Sequence, residues 1–163
     1  MPLIAMQEHS VSCRLNRELT APGNAREHAR KALFGWGLGE HADLVEIIIS
    51  ELVTNAIRHG AGPVRARLSH GRGQLRVEVH DDGRGRPVRR QAGAEDESGR
   101  GLVMIDGLIE PYGGSLGVTD DDAGYGKTVY VSICLTGGEI AVAQAAAAIV
   151  AAAGTTATAP GSV

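Results

Sequence analysis

Glu51-Leu-Val-Thr-Asn-Ala-Ile-Arg-His-Gly60 is the stretch whose reading decides the fold. Its apolar residues continue a period of 3.6 that begins at Ala42, which predicts a helix over residues 42–59 closed by Gly60-Ala-Gly-Pro63. On that helix Glu51 and Asn55 lie four residues apart and share one face. They fall beside Leu44, Ile48 and Leu52 on the margin of the apolar stripe, whereas Glu46, Ser50 and Thr54 take the opposite, solvated face. A carboxylate and an amide at the rim of a buried face are costly unless something polar meets them there. From this stretch alone two readings stay open: an ordinary amphipathic helix with two polar rim residues, or a helix whose rim meets a metal–phosphate group.

Outward from the helix, residues 11–19 alternate Val11, Cys13, Leu15, Arg17 and Leu19 against polar neighbours, which predicts a half-buried strand. Ala21-Pro-Gly-Asn24 breaks it, and residues 25–36 carry helical spacing until Gly35, Gly37 and Gly39 end the run. Residues 64–68 and 74–81 read as strands joined by a turn at Gly71-Arg-Gly73. Residues 86–98 have no periodicity and read as a loop, residues 101–110 as a short helix, and residues 115–119 and 128–135 as a final hairpin. Strands and helices cluster rather than alternate, so the expected fold is a two-layer α/β sandwich with a mixed, largely antiparallel sheet.

Composition narrows the function classes. The 163 residues suit one domain, and 43% hydrophobic with 21% charged content is that of a soluble globular chain. Aromatics make up only 3%, so Val, Ile, Leu and Ala must fill the core. A net charge of -3 offers no general attraction to nucleic acid or to an acidic membrane. Cys13 and Cys134 stand in no metal-like or redox-like spacing and read as buried cysteines. Residues 1–10 lack the basic start and apolar run of a signal peptide, and the Ala-rich segment 140–153 is too short to span a bilayer. A cytoplasmic protein is expected, with a domain over residues 1–136 and a flexible or partly helical tail over 137–163.

Three further sites bear glycines. In Asp81-Asp-Gly-Arg-Gly85, strand parity sets Asp81 on the buried face with Val77 and Val79, where a carboxylate suits an exocyclic amine, and Gly83 and Gly85 allow close approach of a ligand. A plain Asp-Gly turn is the simpler alternative. Gly99-Arg-Gly101 directly precedes the helix expected at 101–110, and free N–H groups at such a start favour anions. Gly124-Tyr-Gly-Lys-Thr128 is not a phosphate-binding loop of the Walker type, because Asp121 stands where that motif needs glycine and a strand follows.

In this order and spacing the elements resemble the Bergerat-type ATP-binding domain shared by gyrase, the Hsp90 chaperone, histidine kinases and MutL. Glu51-x-x-x-Asn55 looks like its N box, Asp81-x-Gly83-x-Gly85 and Gly99-x-Gly101-Leu102 like two of its glycine boxes, and Gly126-x-Thr128 like the last. Residues 51–60, with Thr-Val-Tyr at 128–130, are most similar to the small bacterial anti-sigma factor serine kinases, and the resemblance spans roughly residues 10–135. It implies ATP and Mg²⁺ as cofactors, with Asn55 as the metal ligand and Glu51 as the catalytic base. It further implies that Asp81 reads the adenine amine with support from the Thr128 hydroxyl. Gly83 and Gly85 would line the nucleotide, and Gly99, Arg100 and Gly101 would meet the phosphates. The implied partners are a sigma factor and an antagonist protein carrying the acceptor serine, and relatives of this kind commonly form homodimers.

Arg100 and Lys127 read first as solvated surface charges, with stabilisation of phosphate oxygens as the alternative. His59 reads as shaping the end of its helix. The loop at 86–98 is short for a histidine kinase lid and no helix with an acceptor histidine precedes the domain, so a severed histidine kinase is not expected. Its Gln91-Ala-Gly-Ala-Glu-Asp-Glu-Ser98 departs from the usual anti-sigma lid, which bears on phosphate transfer more than on ATP binding. The alternative function is a regulatory module that binds ATP and a partner without transferring phosphate.

Overall fold

The computed structural model describes residues 8–84, 97–121, 124 and 126–135. The tail expected from residue 137, most of the expected lid and Gly85 lie outside them. In chain order the elements are β1 (His9–Leu15), α1 (Ala21–Gly35), α2 (Ala42–His59), β2 (Val64–Gly71), β3 (Gln74–Asp81), α3 (Glu97–Ile109), β4 (Ser115–Asp120) and β5 (Lys127–Cys134). Single 3-10 turns lead into α2 at Gly39–His41 and out of α3 at Glu110–Tyr112.

The five strands form one sheet in the order β1-β2-β3-β5-β4. Every pairing is antiparallel, so the two-layer sandwich is as expected and the sheet within it carries no parallel pair among the described residues. The β2–β3 hairpin turns on Arg72 and Gly73, both at positive φ (53° and 73°), the backbone that a two-residue hairpin loop needs to follow the strand twist.

Alternation decides the layers. Val64, Ala66 and Leu68 of β2, Leu75, Val77 and Val79 of β3, and Val129, Val131 and Ile133 of β5 all point to one face and are buried there. The helices cover that face with Ala21, Ala25, Ala29 and Leu33 of α1, Val45, Ile48, Ile49, Leu52 and Val53 of α2, and Leu102, Ile105 and Ile109 of α3. Each fully buried Leu, Ile or Val contributes about 1.5–3 kcal/mol, and these aliphatic residues carry most of the core, with Tyr112 buried among them and Trp36 packed at its edge.

Four sequence expectations change. The first strand stops at Leu15, and Leu19 is 99% exposed, because the chain turns at 16–18, where the Glu18 N–H donates to the Asn16 carbonyl. Helix α1 begins at Ala21 rather than 25, since Pro22 fits a first turn whose N–H groups need no partner. Helix α3 begins at Glu97, so Gly99-Arg-Gly101 forms its first turns instead of preceding it. Glu46, Ser50 and Thr54 are only partly exposed, and α1 reaches the first two, with Arg26 donating to Ser50 Oγ (3.0 Å) and Arg30 pairing with Glu46 (3.3 Å).

Candidate functional site

The C-terminal half of α2 carries Glu51 and Asn55, both half-buried at the margin of its apolar face. Neither makes an ion pair or side-chain hydrogen bond among the described residues. Across from them runs the start of α3, and Gly101 is buried there. A Cβ added at Gly101 would fall well inside 3.0 Å of Glu51 Oε2 and 3.1 Å from its Cδ. The glycine therefore lets the first turns of α3 lie directly on the Glu51 carboxylate. A helix start carries free N–H groups and partial positive charge, which suits both that carboxylate and an anionic ligand. The glycine box expected at Gly99-x-Gly101 thus gains a neighbour in Glu51, although its glycines stand inside the helix and not before it.

Beyond Asn55, α2 ends at His59, and Gly60–Pro63 folds back over the end of β3. Arg17 secures this corner. Its guanidinium donates to the carbonyls of Ala56 (3.1 Å), Ile57, Gly60 (3.1 Å) and Gly62 (3.3 Å), and the Ala56 carbonyl also accepts from the Gly60 N–H (3.0 Å). A cation at a helix C-terminus is also favoured by the dipole. No residue pattern signals this role, because the partners are backbone groups 39–45 residues away.

Asp81 closes β3 on the core side, 1% exposed. Its Oδ1 accepts from the N–H of Gly83 (2.7 Å), more weakly from that of Ala61 (3.4 Å), and from Lys127 Nζ (3.0 Å). Oδ2 accepts nothing among the described residues. Gly60 and Gly83 both press on this carboxylate, and a Cβ at Gly83 would come within 2.7 Å of Oδ1. The arrangement holds the carboxylate rigidly, with one oxygen left for a donor.

Two site expectations are corrected here. Lys127 is not a solvated surface charge: it is 5% exposed and pairs with Asp81, its cross-strand neighbour on the core face. Thr128, one residue on, points to the other face of the sheet, where its hydroxyl meets His80 Nδ1 at 3.2 Å. Strand alternation forbids it from reaching Asp81 from there, so the structure does not bring together the two residues the motif joined. Arg100 is exposed on α3. Gly83 lines Asp81, and the backbone of Gly99 belongs to the first turn of α3.

As to a metal, an amide oxygen such as that of Asn55 is a hard ligand suited to Mg²⁺. No cluster of three His, Cys, Asp or Glu that could hold a metal ion occurs among the described residues. Mg²⁺ commonly takes one or two protein oxygens and fills its shell with phosphates and water, which a single amide such as Asn55 would suit.

Residues 15–131 match the model of the histidine kinase-like ATPase domain family. The chain belongs to this family. Within it, the chain is 35% identical over 103 residues to the blue-light-activated histidine kinase 2 of Erythrobacter litoralis (strain HTCC2594), a stretch covering 60% of this chain and 29% of that protein. The solved histidine kinase domain of the blue-light activated histidine kinase EL346 from Erythrobacter litoralis is 32% identical, with a TM-score of 0.49, over 64% of this chain and 49% of that one. The larger EL346 structure gives 33% identity and a TM-score of 0.47, over 62% and 34%. The chain therefore spans less than a third of the curated histidine kinase it matches and about half of the solved kinase domain. The matched family is histidine kinase-like and the curated relative is a histidine kinase, so these two matches support the superfamily and not, by themselves, the narrower anti-sigma serine kinase. No helix among the described residues is long and apolar enough to cross a membrane.

Proposed function

We propose that the chain is an ATP-binding catalytic domain that passes the γ-phosphate to a protein side chain, of the anti-sigma serine kinase type. The observation that carries this reading is the meeting of Glu51 with the start of α3 at Gly101, one helical turn from Asn55. That corner gathers a proton acceptor, a metal ligand and a helix N-terminus, the three things phosphate transfer asks of a protein. Asp81, at the far end of the same surface, supplies the acceptor for the amine of the base.

In this scheme Glu51 takes the proton from an attacking serine hydroxyl, and the free N–H groups of α3 hold the phosphate oxygens. Asn55 would hold Mg²⁺, whose charge offsets that of the phosphates. The near-complete N-box match over residues 51–60 favours a serine of an antagonist protein as acceptor and a sigma factor as the sequestered partner. The 35% identity to a histidine kinase favours a second reading, in which the acceptor is a histidine of a partner. A binder that never transfers phosphate is the third.

Calorimetric titration of ATP with and without Mg²⁺, beside Asn55→Ala, tests the site. Mg-dependent binding that Asn55→Ala weakens at least tenfold is expected, and equal affinity with and without the metal would remove Asn55 from its role. Labelled phosphate recovered on a partner separates the acceptors. Phosphoserine survives acid, whereas phosphohistidine does not.

A further inference from the structure

Lys127 is a buried charge that the proposed phosphate chemistry leaves unused. Its side chain is 6% exposed and that of Asp81 is 1% exposed, and the two meet at 3.0 Å at the ends of paired strands β5 and β3. Burying an ammonium and a carboxylate costs more in desolvation than their attraction commonly returns, and apolar residues of similar volume are often as stable. Stability alone is therefore a poor reason for a lysine here. An ammonium also carries three N–H donors. Among the described residues the only acceptor that Lys127 Nζ finds is Asp81 Oδ1, so two donors are left over. Directly beside them, Asp81 Oδ2 is an acceptor with no donor among the described residues.

A purine presents the complement of this couple. Its exocyclic amine is a donor, and a ring nitrogen next to it is an acceptor. Resting on the nucleotide-binding reading above, we infer that Lys127 is a second base-reading residue. Asp81 Oδ2 accepts from the adenine amine while Lys127 Nζ donates to the adjoining ring nitrogen. Specificity for adenine then comes from two points rather than one. A pocket built to pair both groups rejects a base that leaves either unpaired, because each would stay buried without a partner. Guanine turns the pattern around with an oxo group where adenine has its amine.

The experiment is a comparison of ATP with its 1-deaza and 7-deaza analogues and with GTP, titrated against the wild type, Lys127→Met and Lys127→Gln. The wild type should bind one of the two deaza analogues about tenfold or more weakly than ATP. That gap should vanish in Lys127→Met and return in part in Lys127→Gln, which keeps an N–H donor. A lysine that only neutralises Asp81 would lower affinity for all three adenine nucleotides alike, leaving the gap intact. Equal binding of ATP and both deaza analogues by the wild type would overturn the assignment while leaving the nucleotide site standing. So would GTP binding as tight as ATP. No binding of ATP at all would defeat the nucleotide reading and Lys127 with it. Should Lys127→Met fail to fold, the wild-type comparison and Lys127→Gln still decide.

Discussion

Replacing Gly101 by alanine separates chemistry from folding at this site. The added methyl group would sit well inside 3.0 Å of Glu51 Oε2, while an ordinary contact is 3.4–4 Å, so the carboxylate must withdraw by about 1 Å. The atom in the way is the tip of a flexible side chain, so the backbone need not move. Holding a Glu51 torsion about 30° off its rotamer to make that room costs about 0.5–1.5 kcal/mol. Alanine within a helix returns about 0.5–1 kcal/mol relative to glycine. The net change in stability should lie within about 1 kcal/mol of zero. A misplacement of about 1 Å in a catalytic group, by contrast, can cost on the order of a hundredfold in rate. Gly101→Ala should therefore unfold at nearly the wild-type urea midpoint, bind ATP with little change, and transfer phosphate about a hundredfold more slowly. Unaltered transfer in a folded, ATP-binding variant would refute the placement of Glu51 as proton acceptor. A large fall in the urea midpoint would show instead that α3 itself cannot accommodate the methyl group.

Arg17→Ala removes donors from four carbonyls at the end of α2, and hydrogen bonds from a charged group suggest a loss of about 1–2 kcal/mol at this exposed corner; an unchanged urea midpoint would show that water replaces the guanidinium at no cost. Gly60→Ala should be worse for folding than Gly101→Ala, because its Cβ would meet the Ala56 carbonyl at 2.5 Å as well as the Asp81 carboxylate, and a backbone oxygen cannot step aside. A loss of about 1–3 kcal/mol is expected, together with weaker ATP binding, and a variant as stable as wild type contradicts the packing. Burial, and secondarily the charge of His9, hold the pKa of the His70 imidazole below its ordinary 6.5. The unfolded chain then takes up that proton first as pH falls. Its contribution to stability is whole above 6.5 and declines as pH drops from there toward the lower folded value. Urea midpoints should thus fall between pH 7.5 and 5.5, and His70→Gln should lose part of that fall. An identical fall in the variant would assign the pH dependence to other groups.

Much of this was legible in the chain. Helix α2 runs over Ala42–His59 and β3 over Gln74–Asp81, as their periods imply, because a strong apolar repeat leaves little freedom in where an element lies. The starts of α1 and α3 were not legible. Pro22 reads as a breaker and Gly101 as a helix start, yet the first acts within a first turn that tolerates it and the second lies inside α3, where it serves a close approach to Glu51 that only the tertiary fold reveals. The inward direction of Lys127 could have been read from the alternation through Val129, Val131 and Ile133. The rule that lysines lie outside overrode it. The same parity, applied to Thr128, would have set that hydroxyl on the outer face beside His80 and away from Asp81. Arg17 left no trace at all, since a guanidinium whose partners among the described residues are all main-chain carbonyls asks nothing of their side chains.

The pairing of Asp81 with Lys127 also bears on when the site comes into being. The two residues are 46 positions apart and meet only once β5 has docked on β3 at the middle of the sheet. Contacts that close so long a loop must first meet its entropy, and they form late compared with a local hairpin such as β2–β3. During refolding, nucleotide affinity should therefore lag behind helical signal and arrive with the last sheet contacts. A base site placed across that seam reports on completed chains only: any partly folded form with an intact α2 would still be blind to ATP.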